Sequence, residues 1–128
     1  MAKGIEIRQA HFPGRAPVDA YGNGGFRFAD MSHRGSVLML PSGIYGWDMA
    51  EGDALTPQSL AQVLSEASAI EVLLVGTGVS IRPLPADLKA SLRAAGIISD
   101  PMSTGAAVRT FNVMLAESRA VAAALIAV

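Results

Sequence analysis

The first half of the chain has the pattern of short β-strands separated by turns. Apolar and charged residues alternate over 5–8, as in a half-buried strand. Further strands are predicted at 18–22, 25–30, 36–40 and 43–49, with a loop at 11–17 and a turn at 31–35. Asn23-Gly24 lies between two of these runs and predicts a hairpin, because both residues tolerate positive φ. Tyr45 and Trp47 fall on one face of their strand.

The second half changes to a helical period interrupted by apolar strands. Thr56 as N-cap and Pro57 at the first helical position predict a helix start. A second helix is predicted over 85–95, with Leu88 and Leu92 facing inward and Gly96 ending it. A third is predicted over 105–117, capped by Thr104, with a buried side formed by Ala107, Val108, Phe111, Met114 and Leu115. Strands are predicted at 71–75, 97–99 and 121–128.

The last of these segments is ambiguous, because the alanines in 121–128 favour a helix while its length and position favour a closing strand. We predict a strand. The order is then β-rich followed by α-β-α-β-α-β. This predicts one α/β domain over 1–128, with a mixed sheet covered by about three helices and an additional N-terminal β layer.

Composition excludes several functional classes. Only 16% of the 128 residues are charged and 51% are hydrophobic, which excludes an intrinsically disordered chain. The absence of cysteine excludes disulfides, a thiol nucleophile and a Cys-ligated zinc site. A net charge of −1 argues against a general nucleic-acid binder. No secretory signal or membrane-spanning stretch is evident, so we expect a cytoplasmic protein.

The first candidate site is Gly76-Thr77-Gly78, directly after the apolar strand at 71–75. Ligands of open α/β sheets bind at such strand ends, and glycines let a backbone approach a phosphate. A dinucleotide fingerprint needs glycine at position 81, where Ile81 stands, and the phosphate-loop motif is absent. The alternative is a tight turn between strand and helix.

The second candidate lies on the third predicted helix. Gly105, Arg109, Asn112 and Ala116 form one stripe, and Asp100 lies shortly before the helix start. Arg109, Asn112 and free N–H groups at the helix start suit an anion or a carboxylate. Alternatively, Arg109 pairs with Asp100 or Asp87, and Asn112 holds a neighbouring loop.

The sequence gives little support for metal binding or catalysis. His11 and His33 lie in predicted loops without metal-ligand spacing, and the acidic group Asp48, Glu51 and Asp53 lacks calcium-loop spacing. We therefore predict no metal, no cofactor and no catalytic residue, and favour a non-enzymatic protein. An exposed patch around Tyr45 and Trp47 suits a protein interface, whereas a buried anchor is the alternative.

Several motifs occur in an order that resembles a known family. They are Gly24-Gly25-Phe26, Pro41-Ser42-Gly43 leading to Trp47, Leu55-Thr56, Val72-Leu73-Leu74-Val75-Gly76-Thr77-Gly78, Gly96-Ile97, Asp100-Pro101-Met102-Ser103-Thr104, Ala106-Ala107, Arg109-Thr110-Phe111-Asn112-Val113, Glu117 and Val121-Ala122-Ala123-Ala124-Leu125. Over almost its full length the chain resembles the family of small domains that includes the mitochondrial complex I assembly factor 3. We expect a bacterial member.

The resemblance implies a three-layer α/β domain with a mixed sheet. For the mitochondrial relatives it implies a non-enzymatic role in assembling the respiratory NADH:ubiquinone oxidoreductase, with protein partners near the inner membrane. It also suggests one surface pocket formed by Gly76, Thr77, Gly78, Asp100, Thr104, Arg109, Thr110 and Asn112.

Two functional hypotheses follow. The first is an assembly or interaction factor whose partners are respiratory complex I subunits, their assembly factors or another membrane complex, at the inner membrane surface. The second is a small-molecule or anion-binding protein, or a weak enzyme, that uses the glycine loop and the third helix. A homodimer is compatible with either hypothesis.

Overall fold

The computed structural model describes residues 12–128. The strand predicted at 5–8 and the loop residue His11 lie outside this part of the chain. Within it, a five-stranded mixed sheet is covered on one face by two helices. The other face is covered by a third helix and a separate three-stranded sheet. The α/β class, the mixed sheet, the β-rich layer and the three covering helices are confirmed.

The N-terminal layer is a three-stranded antiparallel sheet of β1 (Ala20–Gly22), β2 (Gly25–Phe28) and β3 (Met31–Arg34). The predicted Asn23-Gly24 hairpin is confirmed, with φ values of 53° and 78° at these residues. The turn predicted at 31–35 is wrong, because Met31–Arg34 form β3 and the chain reverses before them, at Ala29 and Asp30. Ala29 and Asp30 adopt positive φ at 48° and 61°, without a glycine to mark the turn.

The central sheet has the strand order β5-β4-β8-β6-β7. Its members are β4 (Ser36–Leu40), β5 (Gly43–Trp47), β6 (Val72–Gly76), β7 (Ile98–Met102) and β8 (Val121–Leu125). The strand predicted at the C-terminus is confirmed. β8 pairs antiparallel with β4 and parallel with β6, so it joins the antiparallel and parallel halves of the sheet.

The helices are α1 (Ala61–Ser65), α2 (Ala86–Ala94) and α3 (Thr104–Ala116). Single 3₁₀ turns, Gln58–Leu60 and Ala67–Ala69, flank α1. The predicted helix start at Pro57 is one residue early, although the Thr56 hydroxyl does accept the Ser59 N–H at 3.0 Å. Leu88 and Leu92 are buried in α2, as predicted.

Two hydrophobic clusters hold the layers together. Alternation along β8 sends Ala122 and Ala124 to the face covered by α1 and α2, and Ala123 and Leu125 to the opposite face. Phe111 of α3 and the two phenylalanines of β2 fill this second cluster. Because the alanine side chains of β8 are small, the layers on both faces can pack close to this strand. An alanine-rich run therefore forms a fully buried central strand.

The crossover connections place a topological switch at the end of β6. From β6 the chain passes through α2 to β7, and from β7 it returns through α3 to β8 on the far side of β6. Right-handed crossovers that run in opposite directions put their helices on opposite faces. Open α/β sheets bind ligands at such a point.

Candidate functional site

The glycine loop begins where β6 ends and is tied to β7. Thr77 is buried, and its backbone N–H donates to Met102 O at 2.9 Å. Its hydroxyl lies 3.0 Å from Ser80 O and 3.2 Å from Met102 O, and accepts the Arg82 N–H at 2.9 Å. The Thr77 side chain therefore closes the loop upon itself and upon the neighbouring strand.

Thr104 joins this loop to α3 and to the end of β8. Its N–H donates to Gly78 O at 2.8 Å, and its hydroxyl accepts the Gly78 N–H at 3.1 Å and donates to Ile126 O at 2.7 Å. The prediction that Thr104 caps α3 is wrong. Ser103 is the N-cap, accepting the Ala106 N–H at 3.3 Å, because the Thr104 hydroxyl is already bonded twice.

Gly76 is required by packing between elements. A Cβ at this position would lie 2.9 Å from Thr104 Cα and 3.1 Å from Leu125 Cδ2. These distances are shorter than ordinary contacts, so only glycine lets α3 begin this close to the sheet. The crevice at the switch point is thus closed by direct contacts between β6, α3 and β8.

A carboxylate of the chain itself occupies the exposed side of the loop. The Val79 N–H donates to Glu51 Oε2 at 2.7 Å. Gly78 has φ +118°, and a Cβ here would overlap the Glu51 carboxylate. The loop does attract an anion, and that anion is Glu51. Sequence reasoning placed Glu51 in a solvated acidic turn, since no local signal linked it to a loop 27 residues later.

Arg82 completes the polar surroundings of this loop. One of its guanidinium nitrogens donates to Asp53 O at 3.2 Å. Its Nε is buried and has no hydrogen-bond partner within residues 12–128. Asp53 in turn accepts the Ala50 N–H at 2.8 Å and closes the turn that carries Glu51. Neither Arg82 nor Glu51 belonged to the predicted site.

The predicted stripe on α3 faces the N-terminal layer. Asn112 accepts the Val18 N–H at 2.9 Å and donates to Val18 O at 2.8 Å. These bonds correspond to the alternative interpretation, in which Asn112 holds a neighbouring loop. At Gly105, the Tyr21 phenol lies so close that a Cβ would overlap it. The stripe therefore serves to dock the segment that leads into β1 and β1 itself.

Arg109 lies on this stripe but is exposed. The alternative, in which Arg109 pairs with Asp100 or Asp87, does not occur, and within residues 12–128 the guanidinium makes no hydrogen bond or ion pair. A Cβ placed on Gly105 would stand 3.6 Å from Arg109 Nη1, so the guanidinium lies beside the Tyr21 phenol. In the part of the chain that the structure describes, Arg109 is therefore an exposed and unpaired cation.

The remaining members of the predicted pocket lie elsewhere. Asp100 is exposed on β7, the edge strand of the sheet. Thr110 lies about 200° around the α3 axis from Asn112, because each residue of a helix turns about 100°. The structure brings Gly76, Thr77, Gly78 and Thr104 together, and leaves the other members outside this group.

The two candidate interface aromatics differ in exposure. Trp47 is only 8% exposed, and its indole N–H donates to Ser59 O at 2.8 Å. It is the buried anchor of the alternative interpretation and offers almost no surface to a partner. Tyr45 is partly buried, and its hydroxyl lies 2.5 Å from Ser42 Oγ, which donates to Glu66 Oε2 at 2.5 Å.

Among residues 12–128 there is no group of three His, Asp or Glu side chains that could hold a metal ion. His33 lies in β3, with Nε2 3.1 Å from Ser36 O. In the same range, no helix has both the length and the apolar character needed to cross a membrane.

Comparison with known sequences assigns the chain to a family. The model described as "Protein of unknown function (DUF498/DUF598)" matches residues 18–126. The chain is 38% identical over 119 residues to an uncharacterized protein of Rhodobacter capsulatus, covering 93% of this chain and 90% of that protein. It is 29% identical over 122 residues to "NADH dehydrogenase [ubiquinone] 1 alpha subcomplex assembly factor 3" of Mus musculus, covering 95% of this chain and 66% of that protein.

Solved structures give the same grouping. A Bartonella henselae crystal structure, titled as an outer membrane protein, has a TM-score of 0.88 and 65% identity, covering 91% of this chain and 98% of that one. A Rhodopseudomonas palustris protein has a TM-score of 0.82 and 47% identity, covering 100% and 93%. A Bordetella pertussis protein, titled as a Mth938-like domain, has a TM-score of 0.77 and 27% identity, covering 87% and 85%.

Proposed function

The chain belongs to the DUF498/DUF598 family. From this premise we propose that it is a non-enzymatic assembly factor for a membrane complex, with respiratory complex I as the first candidate. The observation that carries the proposal is the likeness to the mouse complex I assembly factor along 95% of this chain. The chain spans 66% of that relative, so the match covers the domain and not the whole mouse protein.

Features of the structure support an interaction role. The crevice where an open α/β sheet takes a ligand is filled by Thr77, Thr104 and the Glu51 carboxylate. In contrast, Arg109 is exposed beside Tyr21, which is itself 41% exposed. A cation next to an aromatic ring on a surface is a combination common at protein contacts.

The test is affinity purification of the tagged protein from its own cells, with soluble and detergent-extracted fractions compared by quantitative mass spectrometry. We expect enrichment of complex I subunits or of another membrane complex in the detergent fraction. Recovery of the protein without any partner, together with normal complex I in cells that lack it, would contradict the proposal.

Binding of a small anion at the glycine loop is the second candidate. The Val79 N–H already holds a carboxylate, and the buried Nε of Arg82 has no acceptor within residues 12–128. Phosphate, nucleotides and carboxylates at a hundredfold excess over Kd would each stabilise a binding protein by about 2.7 kcal/mol. A thermal-shift screen in which none of them acts would contradict this candidate.

We place the protein in the cytoplasm, with attachment to the inner membrane surface through its partner. Fractionation before and after partner depletion tests this placement. A protein that stays membrane-bound without its partner would contradict it. The homodimer remains a prediction, which sedimentation of the purified protein tests.

A further inference from the structure

The outward face of the three-stranded sheet carries a basic groove. Phe26 and Phe28 point into the core, so Arg27 between them points outward. Gly25 shares the outward face with Arg27 and pairs with Arg34, while Arg27 pairs with Ser32. Between them lies an open groove of about 390 Å³, here called the β1–β3 groove. Its lining includes Gly22, Gly25, Arg27, Ser32, His33 and Arg34.

The charge of the β1–β3 groove is not balanced from within. Among residues 12–128, no Asp or Glu lines it. Neither Arg27 nor Arg34 forms a hydrogen bond or ion pair through its guanidinium in the described part of the chain, whereas Arg119 pairs with Glu71 and Glu117. Two like charges on adjacent strands repel each other, and a bound anion would relieve that repulsion.

Two glycines leave the backbone at the bottom of the groove without side chains. Gly22 and Gly25 face each other across β1 and β2. A Cβ on Gly25 would overlap the His33 carbonyl, so this position admits no side chain while β2 and β3 stay this close. The backbone between the two arginines is therefore open to a ligand.

We propose that the β1–β3 groove binds an extended acidic segment of a partner protein. Arg27 and Arg34 occupy diagonal positions on neighbouring strands, about 7–8 Å apart. Alternate residues of an extended chain are about 6.8 Å apart. Carboxylates at alternate positions of such a segment would meet both guanidiniums, whose forked donors match a carboxylate.

The open shape favours a segment over a small molecule. Small-molecule sites enclose most of their ligand, whereas this groove is partly open and would leave a small molecule in contact with solvent. The proposal rests on the proposed function only in taking the ligand to be part of a protein partner.

The experiment titrates the full chain with a synthetic peptide in which Glu and Thr alternate. A peptide with Gln in place of Glu is the control ligand. Affinity is measured by fluorescence anisotropy at about 20 mM and about 150 mM salt, and the site is mapped by amide chemical shifts. We expect perturbed amides within residues 20–34, weaker binding at the higher salt, and no binding of the Gln peptide.

Two double variants distinguish binding at the groove from a general effect of positive charge on the protein. Arg27→Ala with Arg34→Ala should weaken binding about fivefold for each arginine removed. Lys89→Ala with Arg93→Ala removes the same charge from exposed positions of α2, on the opposite face of the central sheet, and should leave affinity unchanged. Circular dichroism and thermal unfolding confirm that both variants are folded.

Several outcomes would overturn the proposal. These are equal losses in the two double variants, perturbed amides outside the groove, or binding of inorganic phosphate in the groove without binding of the acidic peptide. The groove variant is also used in the affinity purification. If wild type and groove variant retain the same partners, the groove proposal fails and the assembly role stands. If wild type captures none and complex I is normal in cells that lack the protein, the assembly role fails and the peptide titration still decides the groove.

Discussion

The carboxamide of Asn112 bonds to both backbone groups of Val18, 94 residues earlier in the chain, at 2.9 and 2.8 Å. One side chain on α3 thereby fixes the segment that leads into β1. This contact and the packing of Phe26 and Phe28 in the second cluster hold the three-stranded sheet, with its β1–β3 groove, over the central sheet.

Replacing Asn112 with Ala should destabilise the protein by about 1–3 kcal/mol, because the partly buried N–H and C=O of Val18 lose their partners. Urea unfolding measures the loss. Arg109→Ala, on the same stripe and without a bonded guanidinium in the described part of the chain, is the matched control and should change stability by less than about 0.5 kcal/mol. Equal effects of the two substitutions would show that the Val18 contact contributes nothing particular.

Thr104→Val should be more damaging than Thr104→Ser. Valine keeps the shape but leaves the Gly78 N–H and the Ile126 C=O without their partner, at a cost of about 1–3 kcal/mol for each group that stays unsatisfied. Serine retains the hydroxyl and loses one methyl group, worth roughly 1 kcal/mol. Chemical unfolding and hydrogen exchange at the Gly78 amide test the order. Faster exchange in the serine variant than in the valine variant would contradict it.

Gly76→Ala should destabilise the protein by about 1–3 kcal/mol, because the added Cβ meets backbone of α3. The control is Gly96→Asn, at a glycine with φ +83° and nothing within 4 Å of an added Cβ. Asparagine tolerates this conformation, so the control should lose less stability. Thermal unfolding of both variants provides the comparison. A neutral Gly76→Ala variant would mean that the strand end can shift away from α3.

Glu51→Gln should open the glycine loop to external anions. The amide oxygen still accepts the Val79 N–H, but the negative charge that excludes other anions is removed. We expect inorganic phosphate to raise the Tm of this variant by several degrees more than that of the wild type. Asp48→Asn, an exposed residue with the same change in charge, is the control. If both variants respond alike, the effect is one of net charge and not of the loop.

Local pattern was sufficient for most of the secondary structure. The Asn23-Gly24 hairpin, the inward leucines of α2 and the buried side of α3 follow from short-range rules about positive φ and helical periodicity. The strand at 121–128 was decided by its place in the order of elements, against the helix propensity of its alanines. The errors lie at the Ala29-Asp30 turn, the helix start near Pro57 and the Ser103 cap, and all three concern the residue at which an element begins or ends.

The site was less predictable than the fold. Glycines after a buried strand indicated a loop that could accept an anion, and Glu51 occupies that loop. Which anion occupies it depends on a contact between residues 51 and 79, and single-sequence patterns carry no information about such a pair. The same holds for Arg82, whose buried Nε is defined by the folded loop.

The sequence by itself determined the class of the protein: one α/β chain with a β-rich first half, a second half of alternating helices and strands, no cysteine chemistry and family motifs from residue 24 to 125. Those properties reside in composition and in the period of apolar positions, which neighbouring residues specify. The tertiary structure decided that Thr104 and Gly76 close the crevice at the end of β6, that Trp47 is buried, and that Arg27 and Arg34 share an open face. These outcomes depend on which distant segments pack together, and that is settled by the free energy of the whole fold.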